Sequence, residues 1–315
     1  MAKLGKEVMD ELIFEREIDD DRVMMGPAYG EDAAALRMGS EYLVVHSDPI
    51  SGAVENIGWL AVNIAANDIA VSGASPRWML SSLQFPTSSP ESEMKDIFED
   101  IYEASLELDI HIVGGHTEII VGIDHPLVTS TMMGLTDEPV FTRGAEPGDK
   151  IVQIDPAGIE GTWILASDFE KELKELDVDQ EVIKDAQELR DKISVVGSAL
   201  SLREKATSMH DPTEGGILQG LYEMAQASKS RFVIDSDFQL MDMTEEICDV
   251  LNVDPLRLIS SGCLLATIPE EEKVKTGKVI GKVVKGAPSV EVMGEEIEAV
   301  CEDELFKASR SLTSA

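Results

Sequence analysis

The residues best suited to chemistry are acidic side chains set in glycine-rich or apolar surroundings. Glu31 and Asp32 open a Gly/Ala loop, GEDAAAL, at residues 30–36. Asp48 closes an apolar run, YLVVHSD. Asn67 and Asp68 sit near the end of a long apolar stretch, IAANDIAVSG. Carboxylates presented from three separate elements are the usual makings of a hard-cation and phosphate site. A second glycine- and acid-rich point, HDPTEGG, lies far off at residues 210–216.

Each point has a plainer alternative. Gly30 lets the chain turn tightly beside a ligand while Asp32 faces a metal; the same loop also reads as an acidic surface turn. Asp48 stands at a strand's C-terminal end, where mixed sheets present ligands, or closes an Asx turn. His46, alternating with Val45, faces a partner subunit or solvent. Asn67 and Asp68 must be satisfied within an apolar patch, by the preceding loops or by metal and phosphate. GGHTE, residues 114–118, reads as a turn whose N–H groups cradle an anion. His116 there touches phosphate, metal or substrate, or is an ordinary surface histidine. Asp211 falls at a helix entry, where the dipole favours its charge, and a structural cap is its rival. There is no Walker A loop, no GxGxxG and no CxxC with a second nearby histidine, so a zinc site is not indicated.

The elements that must carry these residues follow from apolar periodicity. Helices are expected over 3–18, 54–73, from Pro90 with Ser89 as its cap, from about 161, over 195–205, 217–227 and 242–251. The charged span 168–192 reads as solvated helix with a turn near 177–179. Strands are expected over 41–46, 77–85, 110–113, 126–135, 151–154, 231–235, 263–268, 279–284 and 290–293. The segment TRGAEPGDK, residues 142–150, looks like a domain junction. A chain of 315 residues is large for one core. The order of elements implies an α+β class with a mixed sheet, in domains 1–144 and 145–315.

With 61 acidic against 26 basic residues, the formal charge is −35. That excludes a nucleic-acid backbone as partner, which wants a basic footprint. It fits a cell with high internal salt, where screening relieves self-repulsion, or an acidic protein of an ordinary cytosol. No apolar run is long enough for a bilayer, and MAKLGKEVMDEL has no signal core, so a cytoplasmic location is expected. Cys248, Cys263 and Cys301 make no disulfide pattern; the first two read as buried hydrophobes.

Taken together, GEDAAAL, VVHSDPI, LAVNIAANDIAVSGASPRWML, IVGGHTEII, TRGAEPGDKIVQIDPAGIEGTWILA, HDPTEGGILQGLYEMA and LISSGCLLATIPEE resemble the aminoimidazole ribonucleotide synthetase (PurM-like) superfamily. Its relatives include thiamine monophosphate kinase, selenophosphate synthetase and the hydrogenase maturation factor HypE. The resemblance implies a two-domain fold, with an N-terminal sheet domain forming a dimer barrel and a C-terminal α/β two-layer domain. It implies ATP and magnesium as cofactors. Asp32, Asp48 and Asp68 look like cation-binding positions. Gly30, Glu31, Asn67, Gly114, Gly115 and Thr117 look like the nucleotide surround, and Asp211 like the carboxylate of the second domain. The implied activity is phosphoryl transfer to an oxygen of a small acceptor, with His116 as the candidate base. A homodimer is expected, a protein partner is possible in a HypE-like accessory role, and no membrane is involved. The chain departs from its relatives in having His116 where many have an acid. It also lacks a terminal cysteine after SRSLTSA and a reactive cysteine near the start.

Overall fold

The computed structural model describes residues 6–50, 56–300 and 302–313. The start of the helix expected over 3–18, the 54–55 start of the helix expected over 54–73, and Cys301 lie outside these. The chain forms two compact units. One is built from residues 20–26 and 32–139; the other from the described residues up to Asp19, from 27–31, and from Val140 onward.

Chain order begins in the larger unit with α1 (Lys6–Met9), which continues as a π-helical turn, Asp10–Phe14. The smaller unit then adds β1 (Val23–Met25), β2 (Ala34–Met38), β3 (Glu41–Ile50), α2 (Ile57–Val71), β4 (Ser75–Pro86), α3 (Glu91–Glu107), β5 (His111–Ile120) and β6 (Leu127–Thr136). Its six strands lie in the order β1-β2-β3-β6-β4-β5. Only the β4–β5 pair is parallel, as its helical crossover through α3 requires.

α2 is apolar all round because it is enclosed all round: every residue from Ile57 to Val71 is buried. One side lies on the sheet, where a side chain at Gly134 would meet Ile69 at 2.5 Å. The other lies on α3, where a side chain at Gly58 would run into the Ile97 carbonyl. The helix stops in a Schellman turn: Ala74 donates to the Ile69 carbonyl at 3.2 Å and Gly73 to Ala70 at 2.9 Å. Gly73 supplies the left-handed φ of +79°.

Three expectations are corrected here. The sheet does not form a barrel: it is open, with β1 and β5 at opposite edges, and no sheet closes among the described residues. β1 has three residues and bonds only to β2, while β5 bonds only to β4, so nothing joins the two ends. The second correction concerns Gly114-Gly115, which does not end a strand. β5 runs straight through it to Ile120. Gly115 is needed because any side chain there would collide with the Ser81 carbonyl of β4. The cap expected at Ser89 also moves: Pro90 is the N-cap residue of α3.

The larger unit continues with β7 (Lys150–Ile154), α4 (Ile159–Asp168), α5 (Glu170–Glu175), α6 (Gln180–Gln187), α7 (Val196–Leu202), β8 (Ser208–His210) and α8 (Gly216–Ala227). It ends with β9 (Arg231–Ile234), α9 (Asp242–Leu251), β10 (Leu264–Ile268), β11 (Lys278–Val284), β12 (Ser289–Val292), β13 (Glu295–Ile297) and α10 (Glu304–Thr313). Its strands lie in the order β13-β12-β9-β11-β7-β10-β8, and only β12–β9 is parallel. α8 lays Ile217, Leu221 and Met224 against Ile151, Phe232, Leu265 and Ile280 of this sheet. No helix of the described residues is long and apolar enough to cross a membrane.

Candidate functional site

In the smaller unit the acidic positions share the face of the sheet that α2 covers. Strand alternation puts Val44, His46, Asp48 and Ile50 on one side of β3. Val44 lies opposite Gly134, where α2 packs. His46 on that side reaches α2 directly, its Nε2 standing 3.1 Å from Asp68 Oδ2. The separation is that of an ion pair; the approach is not aligned as a hydrogen bond. The other ring nitrogen, Nδ1, bonds the main-chain carbonyl of Asp32. So His46 links the main chain at Asp32 to the carboxylate of Asp68, and Asp48 stands two residues further along the same strand face. Sequence reading left His46 facing a partner or solvent; it faces α2 instead, because its parity matches Val44 rather than Val45.

Asp48 stands in a row of small and polar residues that crosses the sheet. It lies opposite Ser130, which lies opposite Ser81, which lies opposite Gly115. Three strand spacings separate the ends, roughly 14 Å. Ser130 is fully buried with no hydrogen-bond partner for its hydroxyl among the described residues. No periodicity signals the two serines, since each is one small residue inside an apolar strand.

Asn67 is fully buried beside Asp68 on α2. Gly114 and Thr117 lie on β5, whose residues His111–Ile119 are all exposed. His116 lies opposite Ser82, one residue out of phase with the Asp48–Gly115 row, and so projects from the other face of the sheet. Its side chain is 66% exposed, with Nε2 3.7 Å from Glu118 Oε2. The fold therefore keeps His116 apart from the carboxylates within this unit.

The remaining candidates belong to the larger unit. Glu31 is 4% exposed there and accepts the main-chain N–H groups of Thr142 at 3.0 Å and Arg143 at 3.2 Å. Its carboxylate thus caps the 3-10 turn Thr142–Gly144. Gly30, at φ +78°, lies so close to the Glu223 carbonyl that a Cβ would meet it at 3.0 Å. Asp211 is 1% exposed and follows β8 into the turn before α8. It does not cap α8; Gly215, with φ +86°, does. The preceding His210 pairs with Glu223, Nε2 to Oε2 at 3.0 Å, and Gln219 donates to the same carboxylate at 2.9 Å.

Two further carboxyls stand around this turn, neither of them singled out from sequence. Asp303 accepts Gly215 N–H at 2.5 Å and Leu305 N–H at 2.7 Å. Burial lifts Asp303 to about 6, against those backbone bonds. Glu160, in the first turn of α4, is pushed to about 8. Burial is the main cause there; the Ser261 hydroxyl opposes it, and the charges of Glu214, Asp211 and Asp303 add to it.

The fold and these positions define a two-domain α+β protein of the AIR synthase related type, and the chain belongs to that family. Its N-terminal domain description matches residues 30–136 and its C-terminal one residues 146–295. Among particular relatives, carbamoyl dehydratase HypE of Rhizobium leguminosarum bv. viciae is 27% identical over 275 residues, spanning 82% of this chain and 74% of that protein. AaThiL, solved with AMPPCP and TMP, superimposes with a TM-score of 0.77 at 19% identity, over 94% of each chain. A hydrogenase maturation protein HypE solved with ATP gives 0.68 at 20%, over 96% of each. This chain is thus similar in sequence to HypE and similar in fold to both HypE and ThiL.

Proposed function

We propose that this protein is a magnesium- and ATP-dependent enzyme that transfers a phosphoryl group to an oxygen of a small acceptor. The observation that carries the reading is His46, which links the Asp32 main chain to the Asp68 carboxylate, with Asp48 two residues along the same strand face. AaThiL with AMPPCP and HypE with ATP, similar in fold, support a nucleotide as the ligand.

Among the described residues, no three acidic, histidine or cysteine side chains stand close enough to cage an ion by themselves. Magnesium is commonly held by one or two carboxylates together with the phosphates of its nucleotide. The donor set fits an ion that arrives on ATP. Asp32, Asp48 and Asp68 would hold it, and when bound it neutralises charge on the phosphates. Asn67, Gly114, Gly115 and Thr117 are proposed nucleotide contacts of the smaller unit, and residues 1–144 and 145–315 the proposed domains. In the reaction a bond forms between the acceptor oxygen and the γ-phosphorus. The bond from that phosphorus to the bridging oxygen breaks, and ADP leaves with the electron pair. The acceptor's proton passes to a base. His116, the candidate base from the sequence, projects from the opposite face and is not assigned that role.

A second proposal concerns assembly. β5 leaves Ile112, Val113 and Ile119 exposed at 42%, 55% and 60%. Such an apolar edge invites pairing, and we assign it to a second copy of the chain; the HypE–HypF complex makes a different protein the alternative occupant.

Calorimetry of ATP binding with and without magnesium tests the main reading. Asp48→Asn is expected to weaken Mg·ATP binding tenfold or more, about 1.4 kcal/mol. Wild-type protein that binds no Mg·ATP would overturn the function; an unchanged Asp48→Asn affinity would remove Asp48 from the site.

A further inference from the structure

His46 makes its two contacts from opposite edges of one rigid ring. Nδ1 meets the Asp32 carbonyl, and a carbonyl only accepts, so Nδ1 carries its proton and donates it. That leaves Nε2 as the atom facing Asp68. The ring is four-fifths buried, and Asp68 is 7% exposed. β3 fixes the ring from one side and α2 fixes the carboxylate from the other. A ring has only two side-chain torsions, so the separation of its two edges cannot drift as a flexible linker's would.

We propose that His46 is a positioning residue that holds the main chain at Asp32 and the carboxylate of Asp68 at a set separation, with Asp48 two residues along the same strand face. The inference deepens the magnesium–ATP reading and rests on it. It assigns His46 no contact with nucleotide or acceptor. Its effect is on where two oxygen donors stand before the ligand arrives, which is how binding sites avoid an ordering cost on binding.

The physical consequence is specific. Losing the ring removes one contact that holds the Asp32–Ala33 peptide and one that holds the Asp68 carboxylate. Both changes should act on the cation-dependent part of binding. A glutamine in place of His46 keeps a donor for the Asp32 carbonyl but turns its amide oxygen toward the Asp68 carboxylate, so it should recover the main-chain contact and only part of the effect.

The test compares wild type, His46→Ala and His46→Gln by two measurements. Hydrogen–deuterium exchange of the ligand-free protein reads residues 32–36, with the larger unit's amides as a folding control. Calorimetry reads ATP affinity with magnesium and with chelator. His46→Ala is expected to speed exchange at 32–36 and to weaken Mg·ATP binding tenfold or more. Magnesium-free ATP binding stays unchanged, and His46→Gln lies between. Unchanged exchange at 32–36 overturns the bracket whatever the ligand does. Faster exchange with unchanged Mg·ATP affinity overturns the positioning role while leaving the ATP reading intact. Wild-type protein without Mg·ATP binding overturns both.

Discussion

Glu160 is the side chain whose surroundings most alter its chemistry. It is 5% exposed, one of its oxygens has no hydrogen-bond partner, and burial with neighbouring negative charge raises it to about 8. In the unfolded chain it titrates near 4.5. Between those values the folded protein keeps a proton that the unfolded protein has lost. Stability is therefore fully present below the unfolded value and falls as pH rises through the folded one. Asp303, raised to about 6, acts in the same direction over a lower window. The ceiling is a few kcal/mol, since a tenfold change in proton affinity between the folded and unfolded states is worth about 1.4 kcal/mol. Glu160→Gln should flatten the decline in urea-unfolding stability between pH 5 and 8 and make the variant the more stable protein at pH 8, by about 1–3 kcal/mol. An equal slope in variant and wild type would show that the carboxyl stays charged in the fold.

At the scale of elements, the contact between α2 and α3 is set by one residue. Replacing a helix-interior glycine by alanine ordinarily stabilises by about 0.8–1.0 kcal/mol. At Gly58 the added methyl would collide with the Ile97 carbonyl and lie 2.9 Å from Asp100 Cβ. Overpacking of that kind costs about 1–3 kcal/mol, and a backbone carbonyl cannot step aside. The clash wins, so Gly58→Ala should lower stability by about 1–2 kcal/mol, read as an earlier urea midpoint; a more stable variant would mean that α3 slides freely over α2. The same distinction explains what could be read from sequence. α2 and α9 were legible because their apolar spacing leaves one choice of period. β5 was not legible through Gly114-Gly115: glycine marks a turn and also marks a close neighbouring backbone, and only the latter holds here. β1, β2 and β8 are short strands whose pairing depends on partners remote in sequence. Of the candidate site, the aspartates stood out in the sequence as isolated acids in apolar runs. Ser130, Ser81 and His46 were not, because their meaning lies in cross-strand register. The barrel came from the resemblance and from no residue pattern, and the open strand order removes it.

At the scale of the whole molecule, charge dominates. A formal −35 over 315 residues places like charges within reach of one another across the surface. The 26 lysines and arginines are too few to pair with 61 carboxylates. Exposed pairs such as Lys95–Glu91, at 2.8 Å, contribute little by themselves. The unfolded chain relieves the repulsion by spreading its charges apart, so repulsion favours unfolding at low ionic strength. The Debye length shrinks from about 30 Å at 0.01 M to about 3 Å at 1 M, and screening should restore stability over that range. The thermal midpoint in sodium chloride is expected to rise by about 3–5 °C from 0.01 to 1 M, equivalent to roughly 2–3 kcal/mol for a chain of this size. Excluded cosolutes also stabilise, by a route that does not depend on charge. Sucrose separates the two: in 0.01 M salt it should raise the midpoint without flattening its dependence on added salt. Repeating the salt series near pH 4.3, the sequence pI, should abolish most of the rise. A rise of equal size at pH 4.3 and pH 7 would mean that salt acts through the solvent, and that the acidic surface does not limit the stability of this fold.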